Sequence, residues 1–308
     1  MFKKLFLPVG ILLAVIWSLI APAAGIFCKE YIGTPAMIVA IFLVSGMQVK
    51  FSELKIDRQF MLGLLAGAIF TLILLPLTGW LSLHSFSLDK ALLAGLLIML
   101  AAPPTLSSGI VLTQQSRGNM MFSIAITVFY SMAAIVTLPL VLGFLLNASQ
   151  IGNVDPLKMF KQLILTVLLP LFAGYVVKKY IFRNWYNKLI DYVPLTTTIM
   201  LSLAFFSAAR SSILSIPLNL VMWVLVMALL FHLLSMAALF GIAKLLKMSV
   251  ADNKAMIFCG GSKSATMALA MVAIAGLDAT AAVVPCLLFY ALQLFLDAML
   301  ANFAQRWQ

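Results

Sequence analysis

The chain has 308 residues, 64% of them hydrophobic and 9% charged, a balance that no ordinary water-soluble domain carries. Apolar runs long enough to cross about 30 Å of hydrocarbon recur along its length, so it reads as an all-α polytopic membrane protein. The net charge of +11 would suggest nucleic acid in a soluble protein. In a membrane it reads as Lys and Arg gathered in cytoplasmic loops, so no nucleic-acid partner is expected.

Met1–Lys29 sets Lys3 and Lys4 before an apolar run that ends in Ala-Pro-Ala-Ala, as a signal peptide would. With so many later spans it reads instead as a first transmembrane helix. Ten helices are predicted, over 5–26, 34–51, 59–83, 90–115, 119–147, 156–180, 188–210, 217–244, 251–276 and 279–303. The loops between them are short and carry turn or charge signals, such as Tyr31-Ile-Gly-Thr-Pro35, Lys55-Ile-Asp-Arg58 and Arg117-Gly-Asn119. With the N-terminus inside, fourteen Lys and Arg residues fall in inner loops and five in outer ones, while Lys263 falls within a span. That asymmetry supports the even span count and puts both termini in the cytoplasm. Cys28, Cys259 and Cys286 show no metal or disulfide spacing.

Ten spans divide into two fives, and an odd number per half makes the halves opposite in orientation. Residues 1–150 form the first inverted repeat and 151–308 the second. The fourth span breaks at Pro103-Pro104, which remove two backbone donors, and Ser107, Ser108 and Gly109 follow. The ninth span carries Cys259-Gly-Gly-Ser-Lys-Ser264 at mid-depth. Interrupted helices at equivalent places in inverted halves mark a midplane site in a secondary transporter. Ser123 and Thr127, four apart on one helical face, stand near the Arg117-Gly-Asn119 connection. With a serine of the break and freed carbonyls they offer an oxygen shell for a hard cation such as sodium. Taken singly, each hydroxyl reads as bonded to the carbonyl one turn back.

The break, the Leu112-Thr-Gln-Gln-Ser-Arg-Gly-Asn119 segment, Ser123 with Thr127, the ninth-span break and Val284-Pro-Cys-Leu-Leu-Phe289 together resemble the bile acid:sodium symporter family, over essentially the whole chain. The Pro-Thr-Leu-Ser-Ser and Gly-Gly-Ser-Lys-Ser wording resembles a divergent branch of that superfamily. The resemblance implies a panel of spans 1, 2, 6 and 7 against a core of spans 3–5 and 8–10, with broken spans 4 and 9 crossing and sodium behind the crossing. It implies a first sodium site at Ser108 or Ser107, Ser123 and Thr127, with Gly109 where the family has Asn. At the second site the family's Glu is Cys259 here, its span-9 Gln is Lys263, and its span-3 Gln is Thr71.

Those departures have a physical reading. A thiol is a poor sodium ligand, and loss of the carboxylate removes the site's only formal negative charge. Lys263 either occupies the second sodium's place, or faces the cavity to bind an anion or cycle a proton, or pairs with Asp297. Ser262 and Ser264 flank it, and Gln293 lies one turn before Asp297 in the tenth span. Asp297 sits toward a helix end, where it reads equally as water-facing; His232 reads as hydrogen-bonded core and Arg210 as reaching the outer interface.

The expected function is secondary active transport of a small organic anion by alternating access. Coupling is expected to at most one sodium ion, with no cofactor, and with membrane lipid as the surrounding partner. The competing expectations are a sodium-independent or proton-coupled carrier using Lys263, and a non-transporting sensor on the same fold. An enzyme is not expected, since the spans hold no paired Asp, no His–Glu metal spacing and no Ser–His pair at matching depth. The expected location is the bacterial inner (plasma) membrane.

Overall fold

The computed structural model describes residues 2–48, 58–84, 86, 89–105, 108–151, 155–180, 192–208, 210–277 and 279–307, and these form helices with no strand among them. α1 (Phe2–Ile20) meets α2 (Ala23–Phe27) and its π-helical turn Cys28–Ile32 at 105°. Pro22 stands at that corner, where its ring and missing N–H oppose a straight helix. α3 (Thr34–Gln48) follows. Then α4 (Arg58–Ile69), a π-helical turn Phe70–Leu74 and α5 (Leu75–Leu83) run on as one rod, Arg58–Leu83.

The predicted fourth span is two helices, α6 (Lys90–Ala101) and α7 (Ser108–Gln115). α6 starts where Asp89 accepts from the Ala91 and Leu92 N–H groups at 2.9 and 3.2 Å. α8 (Met120–Ala148) starts at Asn119, whose side chain caps Met121 and Phe122 in the same way. α9 (Pro156–Leu163), a π-helical turn Ile164–Leu168 and α10 (Leu169–Tyr180) form the next rod. α11 (Val193–Ala208) and the short α12 (Arg210–Ser215) lead to α13 (Leu218–Leu245). α14 (Val250–Ala255), a π-helical turn Met256–Gly260 and α15 (Ala265–Ile274) make up the predicted ninth span, and α16 (Ala279–Ala304) closes the fold.

Among the described residues, six helices are long and apolar enough to cross a membrane, and a seventh if the bent pair at Pro22 counts as one span. The other predicted spans coincide with α3, α6 with α7, and α11, which are shorter as described. α3 and α11 border residues 49–57 and 181–191, outside the described set. The fourth is cut in two by its own prolines.

The helices pack in two sets. α1, α2, α3, α10 and α11 lie against one another, and α4–α8 with α13–α16 form the other set. Glycine sets the closeness of two crossings. A Cβ on Gly46 or Gly174 would fall 1.9 or 1.8 Å from the carbonyl oxygen of Leu171 or Leu43, so α3 and α10 touch backbone to backbone. Gly95 lets α6 approach α16, where a Cβ would lie 2.1 Å from the Ala282 oxygen. The second set holds the buried centre. Of the most apolar 18 residues within Val250–Ile274, 83% are buried, against 22% within Pro156–Tyr180.

Candidate functional site at the meeting of two helix breaks

Proline chemistry makes the site. In an α-helix the N–H of residue 104 would serve the Leu100 carbonyl, but Pro104 has none, and Ala102 before the proline pair is extended at ψ 140°. In the π-helical turn Phe70–Leu74 the Leu75 N–H reaches Phe70, so it no longer serves Thr71. Pro76 then offers no replacement donor. Buried carbonyls at membrane depth must find partners inside the protein.

One side chain supplies those partners. The Lys263 ammonium donates to the carbonyls of Leu100 at 2.6 Å, Thr71 at 3.0 Å and Ala102 at 3.0 Å. The residue is 0% exposed. Each of its three N–H groups has an acceptor, and all three acceptors are neutral. The pairing of Lys263 with Asp297 is replaced by another: Asp297 Oδ1 stands 2.8 Å from His232 Nε2, both residues 1% exposed. Asp297 therefore does not reach water, and His232 is hydrogen-bonded in the interior with Phe289 edge-on to its ring.

The unwound backbone after Gly260 is secured from two directions. Gln293 on α16 accepts from the Lys263 N–H at 2.9 Å and donates to the Lys263 carbonyl at 2.6 Å. The Ser264 N–H donates to the Pro103 carbonyl at 2.9 Å, a direct bond between the two breaks. Ser264 then caps α15 through Met267, and the Ser262 hydroxyl closes onto the Cys259 carbonyl at 2.9 Å. Thr71 Oγ1 reaches the Gly260 carbonyl at 3.3 Å.

Beside this junction lies the hydroxyl cluster. Thr127 Oγ1 donates to the Ser123 carbonyl at 2.8 Å and touches Cys259 Sγ at 2.9 Å; the thiol also reaches the Ser123 carbonyl at 3.2 Å. The Ser123 hydroxyl donates one turn back to Met120 at 2.9 Å. Gly109 joins the cluster, since a Cβ there would lie 3.1 Å from Cys259 Sγ and 3.2 Å from Ser262 Oγ. The Ser108 hydroxyl is bonded to Thr105, which also accepts from the Gly109 N–H at 3.2 Å. Ser107 lies outside the described residues. Each hydroxyl of Ser123 and Thr127 spends its proton on a carbonyl and keeps lone pairs able to face a cation.

Three contributors escape a sequence reading. Thr105 orders the broken end of α6, and Pro76 frees the Thr71 carbonyl. Thr198 on α11 meets Thr266 on α15 at 3.0 Å, a polar contact between the two helix sets just past the second break. The proline was visible as a donor lost after a run of apolar residues. The threonines carried no signal apart from their type.

Interrupted helices bonded at mid-length within an apolar bundle define an integral membrane protein with a buried polar junction. The chain belongs to the SBF-like CPA transporter family, whose model matches residues 4–306, and so to the SBF-like branch of the bile acid:sodium symporter superfamily. It is similar to sodium/bile acid cotransporter 7-A of Xenopus laevis, 28% identical over 322 residues that cover 99% of this chain and 93% of that protein. Sodium/bile acid cotransporter 7 of Mus musculus is also 28% identical, over 99% of this chain and 94% of its own length. A probable sodium/metabolite cotransporter of Arabidopsis thaliana, BASS4, chloroplastic, is 27% identical over 96% of this chain and 72% of its own.

Proposed function

We propose that this protein is a secondary active transporter for a small organic anion, working by alternating access and coupled to at most one sodium ion. The observation that carries the reading is the Lys263 ammonium, presented from the second break, inside three carbonyls, two freed at the Pro103-Pro104 break and one at the π-helical turn Phe70–Leu74. A fixed positive charge fills a carbonyl cage that would otherwise suit a metal ion, which leaves the Ser123, Thr127 and Gly109 cluster, with Ser107 or Ser108, as the one exchangeable cation site. In this reading the four-span set of α1–α3 and α9–α11 is the panel, and the remaining helices are the core that moves against it. Residues 1–150 and 151–308 are its two inverted repeats, both termini are cytoplasmic, and the membrane is the bacterial inner membrane. No catalytic role is assigned to any residue.

The names of the relatives support sodium as the coupling ion, and the carboxylate-free second site supports the limit of one. The test is thermal unfolding of the purified protein with rising sodium at constant ionic strength. Wild type is expected to gain stability, and Thr127→Ala to lose that gain. Lys263→Gln, with the cage vacated, is expected to respond to sodium with a steeper dependence than wild type. No sodium response in wild type would remove the coupling claim, and an unchanged slope in Lys263→Gln would remove the tethered-cation claim. A proton-coupled carrier is the competing reading, favoured by the absence of any carboxylate bonded to Lys263 among the described residues; it requires uptake to follow pH and ignore sodium.

A further inference from the structure

A second polar feature lies away from the junction, where α13, α14 and the end of α16 come together. An apolar slot of about 580 Å³ runs there between Met236, Phe240, Ile257 and Leu300. Adjoining it, and sharing Val250 and Trp307 as walls, is a cleft of about 630 Å³ lined by Arg117, Lys254 and Arg306. No acidic residue lines either space among the described residues. The nearby carboxylate, Asp252, is occupied by the Asn119 amide and the Ser249 hydroxyl, both at 2.6 Å.

The walls are built rather than incidental. Lys254 is 4% exposed and is held by a bond to the Trp307 carbonyl at 3.3 Å, with no carboxylate bonded to it among the described residues. Trp307 stands edge-on to Phe240 at 6.4 Å, and Lys244 lies over the opposite aromatic partner, its ammonium 5.5 Å from the Phe240 ring. Asn253, 6% exposed and part of the slot, has a side-chain oxygen with no hydrogen-bond partner. A buried acceptor of that kind calls for a donor that the protein does not provide.

We propose that this composite cleft holds an anionic glycerophospholipid. The phosphate lies among Arg117, Lys254 and Arg306, and an acyl chain fills the slot. Three cations with no carboxylate bonded to them among the described residues, beside an apolar slot, match a ligand that is anionic at one end and hydrocarbon at the other. A soluble phosphate would satisfy the cations and leave the slot unused.

The experiment uses the full chain in nanodiscs of phosphatidylcholine into which phosphatidylglycerol is titrated, with thermal unfolding as the readout and soluble glycerol phosphate as a parallel arm. Phosphatidylglycerol is expected to stabilise wild type, with the midpoint of the titration displaced roughly fivefold for each cation removed. The variants are Arg306→Gln and Arg117→Asn; Asn tolerates the left-handed backbone at Arg117, where φ is 60°. Two substitutions at well-separated places keep the test informative should one of them fold poorly. Equal stabilisation by phosphatidylcholine alone, or an undisplaced midpoint in both variants, overturns the proposal. Stabilisation by glycerol phosphate matching that of the lipid also overturns it, in favour of a free anion.

Discussion

Gln293 meets the backbone of Lys263 twice, accepting from its N–H and donating to its carbonyl across the junction. Leucine in its place would keep the volume and leave one buried N–H and one buried carbonyl without partners. Each orphan costs about 1–3 kcal/mol, so Gln293→Leu is expected to lower stability by about 2–6 kcal/mol in a denaturant titration. A change at lipid-exposed Phe303 should stay within about 0.5 kcal/mol. At this scale the polar residues of the junction are more legible in the sequence than their bonding partners. Lys263, Gln293, Cys259 and Thr127 stood out as polar residues in apolar runs. That Asp297 bonds His232, and that Ser108 bonds Thr105, depends on helix rotation and on the path of the chain through the break. Neither can be read from spacing along one helix.

Among elements, the deciding feature is how the interruptions differ. The first separates α6 from α7 by a proline pair, while the second unwinds only residues 261–264 and leaves Val250–Ile274 close to a single rod. Pro103-Pro104 and the Gly-Gly-Ser run announced both positions, because loss of donors and backbone freedom are local properties. The π-helical turns were not foreseen. They arise from an extra residue accommodated in a helix whose ends are already fixed by packing, which no local pattern encodes. The closest crossing, α3 on α10, offers a test at this scale. Gly174→Val would drive two methyl groups into the Leu43 carbonyl, and Val at that point is expected to cost about 1–3 kcal/mol or more. Gly241, which has open space around its Cβ position, is the control, and Gly241→Ala is expected to be neutral or stabilising in the same unfolding assay.

At the level of the whole molecule, Thr198 with Thr266 is a polar contact between the two helix sets. If the sets move against each other during transport, joining these positions arrests the cycle. A Thr198→Cys, Thr266→Cys double variant in a Cys28→Ser background is expected to carry substrate when reduced and to stop when oxidised, with full recovery on adding a thiol. Undiminished uptake after complete crosslinking would remove the moving-set account. Which helices associate is not legible in the spacing of residues, since no periodicity states which apolar face meets which. The all-helical membrane class, by contrast, follows from composition alone, because nothing but helix satisfies so much backbone inside hydrocarbon without a closed barrel.

The cage around Lys263 has one more consequence. A diffusing ion leaves its seat as often as the surrounding medium dictates, so a joint that depends on it slackens in dilute salt and tightens in brine. Here the positive charge is strung on the chain itself, and its local concentration is set by a side-chain tether rather than by the bath. The knot where the two interrupted helices meet therefore stays tied in fresh water and in salt alike, and any salt sensitivity of the protein must originate elsewhere.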